Sequence, residues 1–341
     1  MLRDRWLFPR KTGNFTIQWH LTNRCELDCR HCYDRQSREE IGPAVTEKVL
    51  ADLGEFCRRR KLRGHVCLTG GNPFLHPGFL SIYRSAARAG HTISILGNPI
   101  GSERISEMTA IRKPWYYQIS IEGLREYNDG IRGTGHFDRA MDFLALLRNA
   151  GIYSSVMLTL HRDNMEQVLP LAEELRNRAD RFTFNRLTQA GRGASFAAPS
   201  REEYSAFLAR YLAAARTNSV LAFKDGLFNI IRHRQGRPLF RGCTGYGCGA
   251  AFNFVAILPD GEVHACRKYP SPIGHISRSS LEEIYRSPAA RRYRLGSRAC
   301  RFCPIRRACG GCPAVTWGTG LPELEALDPH CFIRDRGSPP A

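Results

Sequence analysis

Long apolar runs are missing from this 341-residue chain: no stretch of about 18 consecutive apolar residues occurs, so no membrane-spanning helix is expected. The opening MLRDRWLFPRK also lacks the apolar core of a secretory signal, and the expected location is the cytoplasm. Acidic residues are few beside basic ones, 32 Asp+Glu against 50 Lys+Arg, which gives a formal net charge of +18. Lysine is rare within that set, 6 of the 50, so the positive charge is mostly arginine. The basic residues are scattered, with dense spots only at Arg58–Lys61, Arg291–Arg294 and Arg306–Arg307, and no nucleic-acid-binding module is visible. Nucleic acid is therefore not an expected partner; an acidic peptide or an acidic redox protein suits such a surface better. A hydrophobic content of 43% with 10% aromatics excludes a disordered chain.

What the chain has in abundance is cysteine, 13 residues, and in a reducing compartment that number points to metal or cluster ligation over disulfides. Eleven of the 13 fall into two groups. The first reads Cys25-x3-Cys29-x2-Cys32 directly after an apolar strand. Three thiolates so spaced can hold three irons of a 4Fe–4S cube and leave the fourth iron open to a ligand. A fully ligated cluster usually only passes electrons, so this triplet points to an enzyme. A zinc site from the same thiols and His31 is the competing reading, made awkward by the adjacency of His31 and Cys32. Cys57 and Cys67 stand apart, in a helical and a strand pattern, and read as small buried apolar residues.

Between about Phe15 and Gln189, β-rich runs alternate with amphipathic ones. Strands are expected at 15–21, 65–70, 92–98, 115–121, 152–160 and 181–187. Helices are expected at 44–60, 77–89, 102–110, 137–149, 164–178 and 201–216. Six βα units in series imply a parallel sheet covered by helices, and right-handed crossovers curl it into a partial (β/α)6 TIM-like barrel. After about Gly226 the composition turns to Gly, Pro, Arg and Cys, with one hairpin, NFVAILPDGEVHAC, and one short helix at 280–287. The expected division is a lead-in over 1–14, the barrel over 15–225, a small iron–sulfur domain over 226–336 and a disordered tail over 337–341.

The triplet, followed by the aromatic Tyr33 at the end of a first strand, resembles the radical S-adenosylmethionine (SAM) superfamily. The resemblance implies that the open iron chelates the amino and carboxylate groups of SAM. An external reductant of flavodoxin or ferredoxin type would deliver the electron that cleaves SAM to methionine and a 5′-deoxyadenosyl radical. Tyr33 would pack near the adenine. Gly70-Gly71-Asn72-Pro73 resembles the Gly-Gly-Glu-Pro loop that binds the SAM ammonium, with Asn72 in place of the usual Glu. QISIEG and RGTGHF are similar to segments that would bring Ser120 and Arg132 to the SAM carboxylate and ribose region.

The second group runs Cys243, Cys248, Cys266, Cys300, Cys303, Cys309, Cys312 and Cys331. Eight thiols can complete two auxiliary 4Fe–4S cubes or two zinc sites. The spacing resembles the SPASM extension of radical SAM enzymes, apart from Cys309-x2-Cys312 where that family has C-x3-C. Carried over by position, Cys243, Cys248, Cys266 and Cys312 would hold one auxiliary cluster, and Cys300, Cys303, Cys309 and Cys331 the other.

SPASM enzymes mostly modify peptides, so the expected substrate is a precursor peptide. Arg267 occupies the position where sulfatase-maturating relatives place an Asp base, which argues against formylglycine formation. Only 14 residues precede the first expected strand, so a leader would be read by the barrel, the C-terminal region or a separate leader-binding protein. GGNP together with the segment from Gly242 to Gly274 resembles maturases of small Cys- or selenocysteine-containing peptides. Arg186, Arg192, Arg267 and Lys268 are candidates for contacting an anionic peptide, and Asp225 and His264 for a general base. A small molecule such as a tetrapyrrole is the alternative substrate, and an electron carrier the non-enzymatic alternative.

Overall fold

The computed structural model describes residues 13–245 and 247–334. The expected tail over 337–341 lies outside the described residues, as does all but the end of the lead-in over 1–14.

Among the described residues nine strands form one sheet, in the order β6-β5-β4-β3-β2-β1-β7-β8-β9. The strands are β1 (Asn14–Thr22), β2 (Arg63–Gly70), β3 (Thr92–Leu96), β4 (Tyr117–Ser120), β5 (Ser154–Leu160), β6 (Arg181–Arg186), β7 (Phe254–Ile257), β8 (Glu262–His264) and β9 (Pro272–His275). The first six are parallel neighbours in chain order. Helices α1 (Pro43–Arg60), α2 (Phe79–Arg88), α3 (Ser102–Ile111), α4 (Arg125–Arg132), α5 (His136–Asn149), α6 (Val168–Leu175) and α7 (Arg201–Ala214) occupy the connections and the stretch after β6. The central strands are nearly continuous runs of buried residues, as a sheet covered on both faces requires. Against them α1 packs Val49, Leu53 and Phe56, the face that its 3.6-residue periodicity marks.

The sheet does not close. The free edge of β6 is met by Val220–Ala222, where the Phe182 amide donates to the Val220 carbonyl at 2.7 Å and the Ala222 amide to the Phe182 carbonyl at 2.8 Å. The other end of the parallel set is decided by the C-terminal segment. Its expected hairpin forms, with β7 and β8 antiparallel, but β7 also pairs in parallel with β1, Trp19 opposite Ile257. A seventh parallel strand thus extends the six.

Two local differences from the sequence pattern matter for the site. The helix expected over 164–178 begins as a 3-10 turn, Arg162–Gln167, before α6. There the Asn164 side chain bonds back to the carbonyls of Glu122 at 3.2 Å and Thr159 at 3.0 Å and accepts from the His161 amide at 2.9 Å. Those bonds compete with the α-helical ladder. Helix α4, not expected from sequence, ends on Arg132 and delivers that residue to the barrel mouth. Beyond the barrel, α8 (Phe228–Arg234), α9 (Leu281–Arg286), α10 (Pro288–Leu295) and α11 (Pro313–Gly318) complete the described helices.

Candidate active site

The C-terminal ends of the strands surround a cavity of about 200 Å³, lined among others by Cys25, Cys29 and Cys32 from the loop after β1. This is the end of a βα sheet where loops converge. The cysteine loop is seated by backbone contact with the Gly-Gly turn after β2. The Gly71 amide donates to the Thr22 carbonyl at 2.8 Å, and the Asn72 amide to the Arg24 carbonyl at 2.8 Å. A Cβ on Gly70 would lie 2.2 Å from the Thr22 oxygen, and one on Gly71 2.2 Å from the Arg24 oxygen. Only glycine permits that approach, and Gly70 also has φ +133°. Pro73 then opens a short 3-10 turn capped by the Asn72 Oδ1, which accepts from the Phe74 amide at 3.2 Å.

Hydrogen-bond donors surround the thiols. Asn98 Nδ2 lies 3.4 Å from Cys25 Sγ, and Arg132 Nη1 lies 3.7 Å from Cys29 Sγ. Three thiols open to one cavity and flanked by an amide and a guanidinium fit a cluster whose thiolates carry negative charge. Ser120 and Tyr33 line the same cavity. Burial pushes the Tyr33 hydroxyl up to about 12, with the nearby Arg267 guanidinium opposing part of the rise.

Arg132 is anchored by Glu122, which the sequence reading passed over although it lies two residues beyond Ser120. Glu122 Oε1 takes Arg132 Nε at 3.0 Å and Nη2 at 2.5 Å, and meets His31 Nε2 at 3.0 Å; Oε2 accepts from the Thr159 amide at 2.7 Å. Burial alone would raise the Glu122 carboxyl, but His31, Arg132 and these hydrogen bonds hold it far below the usual carboxylate range. His31 therefore faces Glu122, the geometry opposed to the zinc reading.

Sequence reasoning also missed Glu26 and Asn98. Asn72 Nδ2 donates to both Glu26 oxygens, at 2.9 and 3.0 Å, and Asn98 Nδ2 donates to Oε1 at 3.0 Å. The signal was present: Glu26 sits inside the cysteine triplet.

The candidates for anion binding separate. Arg186 is buried, with Nη1 and Nη2 on the two Asp328 oxygens at 2.7 and 2.8 Å and Nε on Asp225 at 2.6 Å. It ties β6 to the C-terminal segment, its charge met by two carboxylates. Arg192 pairs with Asp28 of the cysteine loop at 2.6 Å. Arg267 and Lys268 line the cavity, on Gln18 Oε1 at 3.1 Å and the Arg186 carbonyl at 3.3 Å, and neither pairs with a carboxylate among the described residues. The candidate bases are both engaged. Asp225 holds Arg186 and accepts from the Leu227 amide at 2.8 Å, while His264 meets Glu262 at 2.8 Å and accepts from the Ser271 amide at 3.0 Å.

In the second cysteine group, Cys243, Cys248 and Cys312 line one small cavity, and Cys300, Cys303 and Cys331 line another. Cys309 lines both, on the wall between them. Cys266 lies near enough to Cys248 and Cys312 to act on both electrostatically. Asp328 connects this region to the barrel, since its Oδ2 also accepts the Cys312 amide at 2.8 Å. Cys57 and Cys67 are buried, and burial pushes their thiols up to about 12 and about 11.

Two family models match the chain: the radical SAM superfamily over residues 19–175 and the SPASM iron–sulfur cluster-binding domain over residues 248–313. The chain carries a radical SAM domain followed by a SPASM domain. It is an enzyme of the SPASM type, with a 4Fe–4S cluster and SAM in the barrel and auxiliary iron–sulfur clusters in the C-terminal region.

The antilisterial bacteriocin subtilosin biosynthesis protein AlbA of Bacillus subtilis (strain 168) is 27% identical over 311 residues, covering 86% of this chain and 66% of AlbA. The chain thus spans about two thirds of that relative's length. Mycofactocin maturase MftC of Mycobacterium tuberculosis (strain ATCC 25618 / H37Rv) is 29% identical over 339 residues, with 92% and 82% covered. An AdoMet-dependent heme synthase of Methanosarcina barkeri is 25% identical over 345 residues, with 93% and 96% covered. Streptococcus suis SuiB bound to precursor peptide SuiA shares the fold, with a TM-score of 0.73 at 15% identity over 94% of this chain and 76% of SuiB.

Proposed function

We propose that the protein is a peptide maturase acting on a small ribosomal peptide that contains cysteine or selenocysteine. The observation that carries this reading is the cavity itself: the Cys25/Cys29/Cys32 wall faces Arg267 and Lys268, two cations without a carboxylate partner among the described residues. A peptide with an acidic side chain or a free carboxylate supplies the charge they lack. AlbA and MftC, as a bacteriocin biosynthesis protein and a maturase, support the same class of substrate.

When bound, the cluster and SAM supply a radical able to abstract a substrate hydrogen. The chain's own residues bind and orient. Cys25, Cys29 and Cys32 hold the cluster, Asn98 and Arg132 direct hydrogen-bond donors at its thiolates, and Glu122 keeps Arg132 charged and aimed. Ser120 and Tyr33 line the space for SAM, and Arg267 and Lys268 orient the peptide. In the C-terminal region Cys243, Cys248, Cys266 and Cys312 hold one auxiliary cluster, and Cys300, Cys303, Cys309 and Cys331 the other. The location is cytoplasmic, a reductant of flavodoxin or ferredoxin type gives the electron, and the leader is read by the barrel, the C-terminal region or a separate protein.

The match to a heme synthase favours a tetrapyrrole as the second reading. Anaerobically reconstituted protein, given reductant and SAM, separates the two by mass spectrometry. A mass change in short Cys-rich candidate peptides supports the maturase. Consumption of a tetrapyrrole with every peptide unchanged overturns it.

A further inference from the structure

Asn72 stands where the superfamily's loop has a glutamate, and its own side chain is already engaged. Its Oδ1 caps the Pro73–Leu75 turn through the Phe74 amide at 3.2 Å, and its Nδ2 donates to both oxygens of Glu26. Asn98, from the loop after β3, adds a third bond to Glu26 and reaches Cys25 Sγ with the same nitrogen. Both asparagines are buried, at 4% and 9% exposure, while Glu26 is exposed. Two rigid amides thus hold a carboxylate one residue from the first cluster ligand. In a chain with a formal charge of +18, Glu26 forms no ion pair among the described residues.

The exchange is physically matched. A carboxylate at position 72 would face Glu26 at hydrogen-bond distance and repel it, whereas an amide there can donate. The carboxylate missing from position 72 is present one side chain away, at 26.

We propose that Glu26 is the SAM-binding residue that pairs with the methionyl ammonium, and that Asn72 and Asn98 are the clamp that positions it. Glu26, adjacent to Cys25 and without an ion-pair partner among the described residues, would present its carboxylate to an ammonium held at the cluster. Charge-assisted bonds of this kind are roughly twice as strong as neutral ones, which restores the tightness that a lone Asn72 carbonyl would forfeit. Glu26 adjoins the cavity through Cys25, its chain neighbour, and Asn98, both of which line it, and the inference rests on SAM being the cofactor there.

The test is equilibrium binding of SAM, and of a SAM analogue lacking the α-amino group, to the full-length reconstituted protein. Iron content and the cluster's absorption serve as controls. Glu26→Gln is expected to raise the Kd for SAM roughly 10- to 100-fold while leaving the desamino analogue nearly unaffected, so the variant loses the wild type's preference for the amine. Glu26→Gln combined with Asn72→Glu, which returns the carboxylate to position 72, is expected to recover part of the preference. If Glu26→Gln fails to retain iron, Glu26→Asp replaces it, with a smaller loss confined to SAM. Wild-type affinity in an iron-loaded Glu26→Gln, or equal weakening of SAM and the desamino analogue by either variant, overturns the proposal in favour of a structural role. A wild-type protein that loads iron but binds no SAM overturns the cofactor assignment, and this inference with it.

Discussion

Arg186 and Arg267 show how burial and partners divide residues that look alike in a sequence. Arg186 is enclosed by Asp225, Asp328 and His330; burial would lower its affinity for the proton, but the two carboxylates outweigh burial and hold it charged. Removing it leaves two acids buried with no counter-ion. Arg186→Ala is expected to cost about 3–5 kcal/mol in a urea unfolding measurement. Arg267 has no carboxylate to strand. Arg267→Ala is expected to change stability by about 1 kcal/mol or less, and to raise the KM for an anionic peptide about tenfold, the size of one charged hydrogen bond. A large stability loss in Arg267→Ala, with KM unmoved, would contradict its assignment to the substrate side.

At the scale of elements, the β1 and β2 ends are held together by approach distance. The Gly71 site has no room for a methyl group, because the obstacle is the Arg24 backbone oxygen, which cannot rotate away. Gly71→Ala is expected to displace the cysteine loop, costing about 1–3 kcal/mol, and to lower the iron bound at the first cluster in a metal analysis. On β2, between β1 and β3, lies His65, buried and bonded to Thr16 Oγ1 at 3.1 Å and Ser94 Oγ at 2.9 Å. Burial brings its pKa down to about 4 from the ordinary 6.5, so the folded protein keeps it neutral where the unfolded chain protonates it. The unfolded state then binds more protons in that window, and stability falls as pH drops from about 6.5 toward 4, by about 3 kcal/mol in total. His65→Gln is expected to flatten that part of the pH dependence relative to wild type in urea unfolding measured across pH 4–7. An unchanged slope would show that His65 does not carry it.

At the scale of the whole molecule, the C-terminal segment is bound into the barrel twice. Strand β7 pairs with β1, and Asp328 grips Arg186 at the end of β6. The same Asp328 accepts the Cys312 amide, so a carboxylate joins the barrel mouth to the second cysteine group. With three clusters the reconstituted protein is expected to hold about 12 irons. Cys300→Ala with Cys303→Ala is expected to reduce that to about 8, with SAM binding retained, because Cys25, Cys29 and Cys32 line a different cavity. Loss of all iron in that double variant would mean that the cavities do not load separately.

Much of this protein was legible along the chain because its information there is local. The six β-rich runs coincide with β1–β6 to within a few residues, since hydrophobic periodicity reports which face of an element is buried. The cysteine triplet stands in one loop, and its spacing suits three irons of a 4Fe–4S cube. Long-range pairings carry no such local mark. That β7 lies parallel to β1, that Arg186 is enclosed by Asp225 and Asp328, that Glu122 aims Arg132, and that Glu26 meets Asn72 and Asn98 are outcomes of packing between residues from ten to more than two hundred positions apart. The sequence by itself determined the class of chemistry and the run of elements. Only the tertiary structure decided which charges are already neutralised and which still face the cavity, because a side chain's partner depends on what the fold places beside it.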